Sequence, residues 1–343
     1  MILNNSFEVS QFPKALYIEL TSNCNLHCPM CRPLGYKGQN MDLDMYSEIA
    51  NALFSDAVFV DLRGWGESTI LPNFLEYLEI ALEKTTSVKL ISNGAIRNDE
   101  IWHELGSKGI ELGLSIDAAD NNLFKQLRKG GDLTTVISNI NTYKQAAKAN
   151  HKDFSKSLYF LITVSGDNLS DVTNILQLGY SLGVSKFRLE CITVPSNHSA
   201  NLKFHKFDIV EVMEDIKILA PQLGINVEFN SSLHHELTDS SKARKVCIHP
   251  WTYLYIDATG RLGFCDHLNG QSAYTFGHWK EGIDSFMFGN QMKELRREHL
   301  ELHRNGKAIS MCDDCNWCYE RRHVDYEYLV DPRWEQFRYF YDS

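Results

Sequence analysis

Ala15-Leu-Tyr-Ile-Glu-Leu20, followed at once by Thr21-Ser-Asn-Cys24-Asn-Leu-His-Cys28-Pro-Met-Cys31-Arg32, decides the reading of this 343-residue chain. The apolar run reads as a buried strand, so the three cysteines lie on a loop leaving the strand's carboxyl end. In barrels of alternating strands and helices, that end carries the chemistry. Three thiolates, separated by three residues and then by two, leave a four-iron cube one ligand short, because each iron wants its own. An iron without a protein ligand is a reaction site. A zinc knuckle is the competing reading, yet zinc takes cysteines in pairs and completes its tetrahedron with a second Cys or His pair. His27 sits inside the loop and is badly placed for that.

Outward from this stretch, strand-like and helix-like segments alternate. Short β-rich runs at 15–20, 57–62, 87–92, 110–116, 158–164 and 186–191 read as strands. Helical patterns fill 44–54, 73–84, 99–108, 134–149, 170–182 and 207–219, with Gly109, Gly183 and Gly224 as stop signals just past three of them. Six strand–helix units point to a parallel sheet and are too few to close an eight-unit barrel. The expected fold is therefore α/β, a partial (β/α)6 TIM-like barrel over residues 1–230.

Composition agrees. With 43% hydrophobic and 23% charged residues the chain can build one large domain and a smaller one. A formal net charge of -10 argues against a general nucleic-acid or anionic-membrane binder, which needs clustered positive charge. The N-terminus lacks a basic segment followed by a long apolar core, and no run reaches about 18 apolar residues, so a cytoplasmic protein is expected. Nine cysteines grouped three, one, one, one and three suggest metal clusters in a reducing compartment rather than disulfides.

The spacing of Cys24, Cys28 and Cys31 resembles the signature of the radical S-adenosylmethionine (radical SAM) superfamily. The resemblance implies that SAM chelates the open iron of a 4Fe-4S cluster, and that an electron from the cluster splits it to a 5'-deoxyadenosyl radical. That radical takes a hydrogen from a substrate carbon. Reduced flavodoxin or ferredoxin is the implied electron donor. Arg63-Gly-Trp-Gly-Glu-Ser68 resembles the family's Gly-Gly-Glu stretch, which holds the SAM amino group; Trp65 replaces a glycine, leaving Gly64, Gly66 and Glu67 as candidate contacts. Ser92-Asn93-Gly94 is similar to the family's Asn-Gly turn, although a plain tight turn reads the same way.

Ser115 and Asp117 alternate onto one face at the end of the fourth strand. By resemblance they suit the ribose hydroxyls or the carboxylate end of SAM; capping of the next helix is the competing role. Arg128 is a candidate carboxylate partner. Arg188 and Glu190 share a face of the sixth strand, as an ion pair or as substrate contacts, and are the candidates for catalytic deprotonation.

After residue 195 the character changes, and the polar stretch 230–245, with His234 and His235, marks a boundary. Cys247 precedes Tyr253-Leu-Tyr-Ile-Asp257, a turn at Ala258-Thr-Gly260, and Arg261-Leu-Gly-Phe-Cys265, a hairpin that brings the two cysteines together. A helical stretch at 285–302 leads to Cys312-Asp-Asp-Cys315-Asn-Trp-Cys318, so five cysteines compete for four positions. This arrangement looks like the twitch domain, a shortened relative of the SPASM domain, and implies an auxiliary 4Fe-4S cluster over residues 231–320. Structural zinc is the alternative, and which of Cys312, Cys315 and Cys318 ligate stays open. The aromatic-rich tail 321–343, with a helix start at Asp331-Pro332, is expected to pack on the barrel.

The resemblance implies an oxidative reaction, dehydrogenation of a polar small molecule such as an aminocyclitol or sugar, in which the auxiliary cluster accepts the electron. A peptide maturase is the alternative within enzymes, and a non-catalytic iron-sulfur electron carrier the alternative outside them.

Overall fold

The structure, a computed structural model, describes residues 15–31, 37–85, 87–194, 197–229, 249–265 and 276–305. Cys247, Cys312, Cys315, Cys318, His234, His235 and the tail from 319 onward lie outside the described residues.

Parallel strands β1 (Ala15–Ile18), β2 (Phe59–Asp61), β3 (Val88–Ser92), β4 (Glu111–Ser115), β5 (Leu158–Val164) and β6 (Lys186–Cys191) follow one another across a sheet. Between them run α1 (Leu43–Leu53), α2 (Phe74–Lys84), α3 (Asp99–Lys108), α4 (Asn121–Leu127), α5 (Leu133–Ala149), the single turn α6 (Phe154–Ser157) and α7 (Val172–Leu182). Helix α8 (Lys206–Leu223) then leads to β7 (Asn226–Phe229), a seventh parallel strand beside β6 that the alternation of six units did not anticipate. Gly109, Gly183 and Gly224 end α3, α7 and α8 in the left-handed region, at φ +68, +89 and +64, where a side chain is strained.

Alternation along each strand separates two faces. Leu16, Ile18, Leu90, Leu112, Phe160 and Leu189 belong to one aliphatic cluster with the helix residues Tyr46, Leu78, Trp102 and Ile140. The strands' intervening residues, among them Tyr17, Asp61, Lys89, Tyr159 and Arg188, therefore point away from the helices into the barrel lumen. Lys89 bonds Glu111 at 3.3 Å and hangs 4.3 Å over the Phe59 ring.

The C-terminal hairpin joins this same sheet. Strand β8 (Tyr253–Ile256) pairs in parallel with β1, Ala15 opposite Tyr253 through Ile18 opposite Ile256, and β9 (Leu262–Gly263) turns back antiparallel. The nine-stranded order is β7-β6-β5-β4-β3-β2-β1-β8-β9, an unclosed, mostly parallel sheet. Tyr17 and Tyr253 seal the junction as stacked rings, centroids 4.0 Å apart. The helical stretch expected at 285–302 is two helices, Ile283–Phe288 and Asn290–Asn305, broken at Gly289.

Candidate active site

The cysteine loop leaves β1 and is held from four directions. Behind it, Thr21 and Asn40 form an antiparallel bridge, and the Thr21 and Asn23 side chains both donate to Asn40 Oδ1, at 2.6 and 2.9 Å. From the end of β2, the Glu67 amide donates to the Asn23 carbonyl at 2.8 Å. From the loop after α4, the Lys129 carbonyl accepts from His27 N–H at 2.8 Å. From the end of β3, Asn93 Nδ2 donates to Asn25 Oδ1 at 2.9 Å and reaches Cys24 Sγ at 3.6 Å. A loop of three cysteines would otherwise be free to wander; these bonds fix its path.

Gly64 and Gly66 serve this docking. A Cβ on Gly64 would stand 2.2 Å from the Glu19 side chain, and one on Gly66 2.1 Å from the Thr21 carbonyl oxygen. Both glycines are thus required by the close approach of the β2 loop to the β1 loop, whatever else they touch. Glu67 is buried with both oxygens engaged: Oε1 accepts from Thr69 Oγ1 at 2.6 Å and Ser92 Oγ at 2.8 Å, and Oε2 from the Asn93 amide at 2.6 Å. Burial pushes its carboxyl up despite those bonds. Its observed work is to set Ser92 and Asn93.

Asp117 and Arg128 pair with each other. Arg128 Nε meets Asp117 Oδ2 at 2.5 Å, and Thr163 N–H meets Oδ1 at 2.8 Å, so each oxygen of the fully buried Asp117 already has a protein partner. Arg128 lies beside Cys28 as well; burial pushes that thiol up, and the guanidinium is the largest opposing influence. Ser115 is buried at the same strand end. In β6, Arg188 Nε and Glu190 Oε1 are 3.1 Å apart, each side chain about a fifth exposed. Of the two roles left open for this pair, the ion pair is present, and it faces the lumen.

The acid in the quoted apolar run escaped the sequence reading. Glu19, in β1's continuation, accepts from the Trp65 amide and the Tyr255 hydroxyl, both at 2.7 Å, and from the Ala258 amide at 3.3 Å. A single carboxylate thereby ties the cysteine strand, the β2 loop and the C-terminal hairpin. An acid within an otherwise apolar run was the only available signal.

The three thiols differ in depth, Cys28 buried, Cys24 half-buried and Cys31 exposed. Among the described residues no group of three His, Cys, Asp or Glu side chains closes on a single ion. The donor set suits an anionic cluster: the Leu26 amide and Asn93 Nδ2 supply N–H donors to Cys24, and Arg128 supplies positive charge to Cys28. At the C-terminal site, half-buried Cys265 ends the hairpin, and the buried Arg296 keeps a nitrogen, Nη2, without a partner among the described residues. A positive charge with an open donor fits an anionic cluster.

Thiols gathered at the carboxyl edge of an unclosed parallel barrel define a cluster-dependent α/β enzyme. Residues 18–179 match the radical SAM superfamily, and residues 247–316 match SPASM, an iron-sulfur cluster-binding domain. The chain therefore carries a radical SAM domain over residues 18–179 and a SPASM-type domain over 247–316, and 4Fe-4S clusters and SAM are its cofactors. It is 30% identical over 103 residues to the tungsten-containing aldehyde ferredoxin oxidoreductase cofactor-modifying protein of Pyrococcus furiosus, covering 29% of each. It is 27% identical over 185 residues, 52% of this chain and 42% of the relative, to the sporulation killing factor maturation protein SkfB of Bacillus subtilis. The chain thus spans less than half the length of both. Streptococcus suis SuiB, solved bound to its precursor peptide SuiA, shares the fold with a TM-score of 0.67 at 15% identity, over 85% of this chain and 68% of that one. No helix among the described residues is long and apolar enough to cross a membrane.

Proposed function

We propose that the chain is a radical SAM enzyme that takes a hydrogen atom from a carbon of a peptide and completes an oxidative modification there, with reduced flavodoxin or ferredoxin as its electron donor. The observation that carries the peptide is the company the chain keeps: SkfB is by name the maturation protein of a sporulation killing factor, and SuiB, which shares the fold, was solved with a precursor peptide. When bound, SAM on the first cluster supplies a hydrogen-abstracting carbon radical, and the auxiliary cluster an electron sink. Cys24, Cys28 and Cys31 would hold the first cluster, and Cys247, Cys265 and two of Cys312, Cys315 and Cys318 the second. Asn93 and Arg128 orient and neutralise the first thiols. Glu190, open to the lumen and steadied by Arg188, is the group placed to accept a proton from substrate.

A second reading, dehydrogenation of an aminocyclitol or sugar, is favoured by the lumen wall, where the opposed charges of Lys89 with Glu111 and Arg188 with Glu190 match amino and hydroxyl groups.

Anaerobic incubation with SAM and dithionite should yield 5'-deoxyadenosine, and Cys28→Ala should abolish it. No cleavage by the reconstituted wild type would mark a non-catalytic iron-sulfur protein. Substrates deuterated at carbon decide between the readings: label passing into 5'-deoxyadenosine from a peptide supports the first, and label passing only from an aminocyclitol overturns it. Cys265→Ala should keep uncoupled SAM cleavage while losing product.

A further inference from the structure

Arg296, on the helix Asn290–Asn305, is one of the largest side chains with no solvent exposure. Its Nε donates to the Pro250 carbonyl at 2.8 Å and Nη1 to the Met287 carbonyl at 2.7 Å. Nη2 has no partner among the described residues. No acid among the described residues offsets the burial, which by itself draws the guanidinium down to about 10, so it remains charged at neutral pH. A buried cation with no anion is strongly unfavourable, and proteins keep one only where something of opposite charge completes it.

The surroundings indicate what that is. Pro250 follows closely on Cys247, the first residue of the SPASM match. One turn along the helix, buried His299 stands edge-on to Phe264, the neighbour of Cys265, and to Trp251, with centroids 6.3 and 6.2 Å away. Arg296 thus bonds a residue three positions after Cys247, and its helix packs through His299 against the neighbour of Cys265.

We propose that Arg296 is the counter-cation of the auxiliary cluster, its unpartnered Nη2 reserved for the cluster's sulfur shell, and that it raises the cluster's reduction potential. A thiolate-ligated cluster is anionic and gains a further negative charge on reduction. A fixed cation in a low-dielectric wall therefore favours the reduced form. Arg296 acts here as a positioning and electrostatic residue and touches no substrate. The inference rests on the SPASM region holding iron and sulfide, which the metal content of the wild-type protein checks separately.

The test is a spectroelectrochemical titration of the full-length, reconstituted protein, following the auxiliary cluster by electron paramagnetic resonance, in wild type, Arg296→Lys and Arg296→Gln. Arg296→Gln should lower the reduced-to-oxidised ratio at a fixed potential about tenfold, equivalent to roughly 59 mV for one electron. Arg296→Lys should stay near wild type, and the first cluster should not move in either. Melting of loaded and cluster-stripped protein gives the second readout. The gap between the two should shrink in Arg296→Gln, because stripping no longer leaves an unpaired charge. Loss of auxiliary iron in Arg296→Gln but not in Arg296→Lys, with the stripped forms melting alike, supports the assignment too. An unchanged potential, or an equal loss of stability in loaded and stripped protein, including failure of the stripped variant to fold, would assign Arg296 to holding two carbonyls and overturn the proposal. A wild-type protein with iron for one cluster alone removes the premise instead.

Discussion

Gly66 leaves no room for a side chain, since a Cβ would meet two carbonyl oxygens of the cysteine loop, those of Thr21 and Asn23, at 2.1 and 2.4 Å. Both neighbours are backbone, so neither can swing away. Gly66→Ala should cost about 1–3 kcal/mol of stability and displace the loop, with iron after reconstitution falling toward the content of the auxiliary site while circular dichroism stays near wild type. Glu19 makes a different prediction. Burial raises its carboxyl above the ordinary 4.5, against the pull of Trp65, Tyr255 and Ala258. The folded state therefore keeps a proton that the unfolded chain releases. The stability this group contributes is whole below 4.5 and is lost as pH rises through the elevated folded value. In Glu19→Gln that part of the slope should vanish from denaturation curves taken between those pH values. The variant should also lose roughly 1–3 kcal/mol, because its amide turns a donor toward groups that are themselves donors.

Elements bring these residues together, and most of them could be read in advance. Strands β5 and β6 and helix α3 have the bounds their patterns indicate, since long apolar alternation and clear stops leave little freedom. Strand β7 did not announce itself: Asn226-Val-Glu-Phe229 is an edge strand with no buried residue, so nothing apolar marks it. Helix α4 was hidden by its length, seven residues of which Phe124 and Leu127 are buried. The last helical stretch divides where the backbone of Gly289 turns extended, at ψ 163, and no side chain fits there because a Cβ would strike the Ser285 carbonyl at 2.0 Å. Among site residues, Glu67, Ser92, Asn93 and Asp117 were singled out at strand ends and Arg128 as a carboxylate partner, but their partnerships were not legible, because Asp117 finds Arg128 and Glu67 finds Ser92 only through the fold. Asn139 of α5 was not singled out at all. It is buried and donates to the Gly94 and Ile96 carbonyls at 2.7 and 2.8 Å, bracing the turn that aims Asn93 at Cys24. Asn139→Ala should destabilise by about 1–3 kcal/mol and slow SAM cleavage more than it weakens SAM binding, measured by single-turnover assay beside equilibrium titration.

At the scale of the molecule, the cysteine loop and the hairpin that leads to Cys265 belong to one sheet. Wild-type protein should carry about eight irons and eight sulfides, and Cys28→Ser about four of each. The pairing of β8 with β1 makes a further demand, in time rather than in space. The strand that carries the cysteine loop keeps one edge bare on the ribosome until codons 253–256 have been translated. Glu19 waits as long for Tyr255, 236 positions downstream. A message cut short ahead of those codons should accordingly yield a sticky fragment, open to pairing with strangers, in place of a half-working enzyme.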